Sequence, residues 1–169
     1  MRTAAYKVDV ASDRRRCENE PKHILCAIAG WKGKIMELFL GGCYQGKKEY
    51  VLKLHPECKG QVIEGENLPA DWDGMIKELQ EFENPVINHL HLWIRKCLEQ
   101  QTDVELLADK LLETYPGLIF ICDEIGNGIV PMDALERDYR ERTGRLQIRI
   151  AEKAERVERI VCGISQRLK

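Results

Sequence analysis

The run LIFIC at residues 118–122, followed at once by Asp123 and Glu124, constrains the fold of this chain more than any other stretch. Five consecutive apolar residues leave no polar face for solvent. A strand built from them must be covered on both sides, as the central strands of a parallel, helix-covered sheet are. The rest of the chain from Met36 onward agrees with that requirement by alternating short apolar runs with amphipathic ones. MELFL (36–40) ends at two glycines and reads as a strand feeding a turn, and KKEYVLKLH (47–55) reads as a helix stopped by Pro56.

QVIE (61–64) and PVIN (85–88) are two further short strands, with DWDGMIKELQEF between them as a helix capped by Asp71 that places Trp72, Ile76 and Leu79 on one face. LHLWIRKCLEQ (90–100) has helical spacing, with Trp93 expected in the core. DVELLADKLLETY (103–115) is an amphipathic helix capped by Asp103 and closed by Pro116-Gly117. A long helix is expected from Asp133 to about Arg156, opened by Asp133 and Glu136 in a capping-box arrangement, with Leu135, Tyr139, Leu146, Ile150 and Ala154 sharing a face. RIVCGISQRLK closes the chain as a strand or hairpin. The alternation predicts an α/β fold with a mostly parallel central sheet covered by helices.

The 169 residues suffice for one domain with a substantial core. A formal net charge of -2, from 26 basic and 28 acidic side chains, supplies no field that would draw the whole molecule to nucleic acid or an anionic membrane. No apolar stretch approaches the roughly 20 residues of a membrane span. The seven cysteines include no C-x-x-C pair, and the four histidines fall at no metal-ligand spacing. Cys122 and Cys162 lie in runs that read as buried strands, which fits reduced thiols and a cytoplasmic setting. Residues 1–34 show no clear period and are expected to be a loosely ordered extension of little functional weight, before a domain spanning 35–169 in which Met36 would serve as a natural start.

In a sheet of this kind ligands bind beyond the carboxyl ends of the strands. The first segment there is GGCYQGKK: Gly41, Gly42, Cys43, Tyr44, Gln45, Gly46, Lys47 and Lys48. Gly41, Gly46 and Lys47 match G-x-x-x-x-G-K, in which backbone N–H groups cradle phosphates and the lysine reaches the outer ones. The alternative is a glycine-rich strand-to-helix turn beside an exposed lysine. The pattern asks next for Ser or Thr, whose hydroxyl meets a metal, and Lys48 stands there instead. The second segment, LIFICDE, has the form of a strand whose terminal acids hold Mg2+, making Asp123 and Glu124 candidate ligands. In the third, Asn88 ends a strand with His89 and His91 beside it. An amide carries no charge, so it replaces an acidic metal ligand poorly, and both histidines read as ordinary helix or loop residues.

The segment from Cys122 to Lys169 is more specific. It closely resembles the C-terminal part of the bifunctional adenosylcobinamide kinase / adenosylcobinamide-phosphate guanylyltransferase family. That family carries N-E-V/I-G-x-G-I-V-P, then G-R-x-N-Q-R-x-A, then a closing G-x-x-x-x-x-K; the chain carries Glu124 to Pro131, Gly144 to Ala151, and Gly163 to Lys169. LFLGGCYQGKKEY is similar to the family's G-G-x-x-x-G-K-S, and VINHLHLWI looks like its D-C-L-T-L-W-L. The resemblance implies a P-loop fold that binds GTP or ATP with Mg2+ and phosphorylates the corrinoid adenosylcobinamide. Lys47 would then act on the phosphates and Glu124 near metal or substrate, with Asn88, Gly126 and Gly128 in substrate or structural roles. A homo-oligomer fits the family's habit.

The chain departs from that pattern in three places. The P-loop Ser is Lys48, and the strand-end acid is Asn88. The stretch bearing the family's guanylylated histidine has no counterpart, since the about 20 residues joining QVIE to NPVIN contain no His, and His55 lacks the motif's neighbours. Asp123, where the family more often has Asn, is the expected replacement carboxylate. Guanylyl transfer through a covalent histidine is therefore not expected. A phosphorylating transferase, a non-catalytic nucleotide-binding homologue and an unrelated P-loop ATPase remain as three readings.

Overall fold

The computed structural model describes residues 34–169. Strand β1 (Glu37–Gly41) opens into a loop and helix α1 (Lys47–Leu54), followed by a single 3-10 turn at Pro56–Cys58. Then come β2 (Val62–Glu64), α2 (Trp72–Gln80), β3 (Val86–Asn88), α3 (Leu90–Glu99), α4 (Val104–Thr114), β4 (Ile119–Asp123), α5 (Ala134–Lys153), β5 (Arg156–Val161) and β6 (Ile164–Arg167). The sheet order is β2-β3-β4-β1-β5-β6, parallel throughout except for the β5–β6 hairpin. β1 lies at the centre, where chain order reverses, so the loop leaving it opens into the crevice at which such sheets take ligands.

Local chemistry accounts for the elements. Asp71, Asp103 and Asp133 each cap a helix, their carboxylates accepting from the N–H groups of Gly74, Leu106 and Glu136; each such cap contributes about 1 kcal/mol. In β4 all five residues are buried. Their alternation sends Phe120 and Cys122 into one core with Leu38 and Trp93, and Ile119 and Ile121 into the other with Phe39 and Val51. Helices α2 to α5 cover the first face and α1 the second. Burying one such large apolar side chain is worth roughly 1.5–3 kcal/mol.

Three expectations are corrected. The long helix ends at Lys153, with Ala154 as its C-cap, and Arg156 opens β5 because the central strand β1 offers it a pairing edge. Leu135 is 43% exposed rather than on the buried face, since the first turn of α5 projects beyond the core. Cys162 is exposed in the hairpin turn with a φ of 51°, not inside a buried strand. The boundary drawn at residue 34 and the extension before it lie outside the described residues, apart from Lys34. Among the described residues the five cysteines are free thiols, and no helix is long and apolar enough to cross a membrane.

Candidate functional site

β1 delivers the chain at Gly41 to the carboxyl edge of the sheet. A Cβ at Gly41 would stand 2.3 Å from the carbonyl oxygen of Ile160, so only glycine lets β1 end this close to β5. The loop returns through Gly46, whose φ of 80° and ψ of 22° are left-handed and which forms the N-cap of α1. No side chain caps that helix, so its first-turn N–H groups are left for water or an anion. Gln45 fastens the loop to the β5–β6 turn. Its carbonyl accepts from the Gly163 N–H at 2.8 Å, and its side-chain Oε1 accepts from the Cys162 N–H at 2.7 Å. Cys43 and Tyr44 form the exposed tip.

Lys47 lies inside this frame, only 5% exposed. Its ammonium donates to the Gly42 carbonyl at 2.7 Å and stands 2.6 Å from Asp123 Oδ1. The contact with Asp123 is one of charge and lacks hydrogen-bond alignment. His91 completes the group. Its Nδ1 accepts from the Asp123 backbone N–H at 3.4 Å, and its Nε2 is 4.0 Å from Asp123 Oδ2. Burial, against the pull of Asp123, drives the imidazole pKa down from 6.5 to about 4. The ring is therefore neutral at pH 7 with its proton on Nε2.

One residue further on, Lys48 faces a different neighbour. Its ammonium is 2.8 Å from Oε1 of Glu64, at the end of β2. Glu64 Oε2 accepts from Asn88 Nδ2 at 2.7 Å and meets His89 Nδ1 at 2.8 Å. Burial pushes the Glu64 pKa up, but hydrogen bonds from Lys48, His89 and Asn88 outweigh it and hold the carboxyl below its ordinary value. The two residues that depart from the family pattern at positions 48 and 88 thus converge on one carboxylate. Cys43 to Glu49 together with Glu64, Asn88 and His89 line a cavity of about 420 Å3.

Glu124 does not face this cavity. Its carboxylate is held by Arg159, with Nε at 2.7 Å and Nη2 at 2.8 Å, and it lines a second cavity of about 310 Å3 with Gly126, Asn127, Arg140 and Gln147. Gly126 and Gly128 lie on the exposed loop leading into α5, where Arg137 and Arg140 donate to the carbonyls of Pro131, Met132 and Ile129. His55 sits at the opposite edge of the sheet, with Nε2 3.0 Å from Glu37 at the start of β1. The sequence assigns no role to Glu64 or Arg159, and it presents His91 as an ordinary helix or loop residue, whereas the structure buries it against Asp123. Glu64 carried a usable signal, since it ends an apolar strand immediately before a glycine. Arg159 carried none, because its partner is set by strand pairing alone.

A Mg2+ ion does not fit these residues as they stand. Asp123 is engaged by Lys47, Glu124 by Arg159 and Glu64 by three donors, while an ammonium occupies position 48. Among the described residues no group of three or more His, Cys, Asp or Glu is arranged to hold a metal.

A parallel sheet whose central strand opens into a glycine loop, a lysine at the start of the next helix and an acid at the end of the neighbouring strand defines a P-loop fold. The chain belongs to the cobinamide kinase / cobinamide phosphate guanyltransferase family, which it matches over residues 48–168. The match begins one residue past Lys47. Relatives include the bifunctional adenosylcobalamin biosynthesis protein CobU of Salmonella typhimurium, 28% identical over 64% of this chain and 49% of that protein. Another is the bifunctional adenosylcobalamin biosynthesis protein CobP of Pseudomonas aeruginosa, 36% identical over 50% of this chain and 52% of that protein. The chain thus spans about half the length of the curated relatives it matches.

Proposed function

We propose that the chain is a nucleotide-dependent transferase of cobalamin biosynthesis that binds GTP or ATP on residues 41–48 and phosphorylates the corrinoid adenosylcobinamide. The observation that carries this reading is the buried Lys47, held between the Gly42 carbonyl and Asp123 at the mouth of an uncapped helix in a chain of this family. A phosphate entering the loop would meet the first-turn N–H groups of α1 and draw the Lys47 ammonium from Asp123. Phosphoryl transfer depends chiefly on positioning and on neutralising the charge spread over the phosphoryl oxygens, both of which this constellation can supply. The cavity beside Glu124 and Arg159, across the Asp123–Glu124 step, is the place for the acceptor. Guanylyl transfer through a covalent histidine is not part of the proposal, because His55 lies at the far edge of the sheet and His89 is bound to Glu64.

A second reading, a non-catalytic nucleotide-binding homologue that regulates or scaffolds corrinoid enzymes, is favoured by Glu64 holding both Lys48 and Asn88. Calorimetric titration with GTP and ATP, followed by assay of adenosylcobinamide phosphate, separates the two. Saturable binding with product formation supports the transferase, and binding without product supports the homologue. Absence of binding removes both.

A further inference from the structure

Lys48 is the second residue of α1, on the wall of the loop cavity beside Lys47, and its ammonium rests on Glu64 Oε1. A divalent cation placed here would meet an ammonium where a hydroxyl ligand is needed, and the strand-end carboxylates Glu64, Asp123 and Glu124 are already engaged. An entering polyphosphate would meet the reverse situation. Lys48 is 41% exposed on its side chain and long enough to turn from Glu64 toward the loop. Glu64 would not be stranded by that move, because its other oxygen keeps Asn88 Nδ2 and His89 Nδ1 as partners. The neutral amide at position 88 matters for the same reason. A carboxylate there would repel Glu64 and compete with phosphate for Lys48.

Building on the nucleotide-binding part of the reading above, we propose that this loop binds polyphosphate without a divalent cation, the Lys48 ammonium leaving Glu64 to supply the positive charge that a metal would otherwise bring. The substitutions at 48 and 88 then form one device: a cation parked on a carboxylate that can release it.

The test compares calorimetric titrations of GTP, ATP and inorganic tripolyphosphate in EDTA and in excess Mg2+ at matched ionic strength. The intact chain is expected to bind in EDTA within about threefold of its affinity in Mg2+. Lys48→Thr is expected to lose about tenfold or more in EDTA, the weight of one charge-assisted hydrogen bond, and to regain part of it in Mg2+. Glu64→Gln, which weakens the resting partner of Lys48, is expected to tighten binding in EDTA by a few fold, and it keeps the test decisive if Lys48→Thr folds poorly. Binding by the intact chain that vanishes in EDTA overturns this inference while leaving the nucleotide reading intact. Equal affinities of Lys48→Thr and the intact chain in EDTA also overturn it. If no probe binds in either condition, the nucleotide reading falls and this inference with it.

Discussion

The carboxyl end of β4 carries two consecutive acids, Asp123 and Glu124, whose ion pairs are built on opposite electrostatic principles. On one side Asp123 and Lys47 form a buried pair, 9% and 5% exposed on their side chains, inside a frame of backbone and neutral His91. On the other, the very next residue, Glu124, pairs with an Arg159 that is 45% exposed. Consecutive residues leaving a strand point to opposite faces, so one acid is desolvated and the other solvated. The lesson concerns magnitude. A buried pair that loses a partner strands a charge, whereas a solvated pair is screened and exchanges for water at little cost.

The largest break of this contrast is Lys47→Met. It leaves Asp123 as an uncompensated buried charge and should cost about 3–5 kcal/mol in chemical denaturation, together with nucleotide binding. Adding Asp123→Asn should restore most of the stability and none of the binding; failure to restore stability would mean that the pair does not act as a unit. Arg159→Ala, the matching change in the second cavity, should leave both nucleotide affinity and the denaturation midpoint unchanged. Gly41→Ala comes next, at about 3 kcal/mol, because its Cβ would meet the Ile160 carbonyl at 2.3 Å and backbone must shift.

A third measurement uses pH. Between pH 6.5 and about 4 the unfolded chain protonates His91 while the folded chain does not. Stability on this account rises with pH across that window and is lost as pH falls through it. His91→Gln should flatten the slope of unfolding free energy there, and an unchanged slope would remove His91 as its source. Glu64 acts in a lower window: with its folded pKa below 4.5, its contribution is present above that value and fades as pH drops beneath it. A smaller loss is expected of Gln45→Ala, which removes the side-chain tie to Cys162 and should cost about 1 kcal/mol, with faster amide exchange in the 162–163 turn.

Much of this molecule is legible in its sequence. Asp71, Asp103 and Asp133 announced their helices because an N-cap is a contact between residues three apart. LIFIC announced a doubly covered strand, and GGCYQGK a strand-to-helix loop ending in a lysine, because each depends on consecutive residues. The same locality explains the errors. Arg156 looked like a continuation of α5, and Cys162 like part of a strand, because neither β1 as a pairing partner nor a tight turn between β5 and β6 is written into the neighbouring residues.

The site divides along the same line. The sequence by itself determined the glycine loop, the position of Lys47 within it, and the family to which the last fifty or so residues are similar. Only the tertiary structure decided that Lys48 and Asn88 both rest on Glu64, that Asp123 takes Lys47 while Glu124 turns to Arg159, and that His91 is buried and neutral beneath them. Those partners come from four separate strands and two helices. Their meeting depends on strand order and register, which are set by the packing of the whole sheet and not by any local stretch of chain.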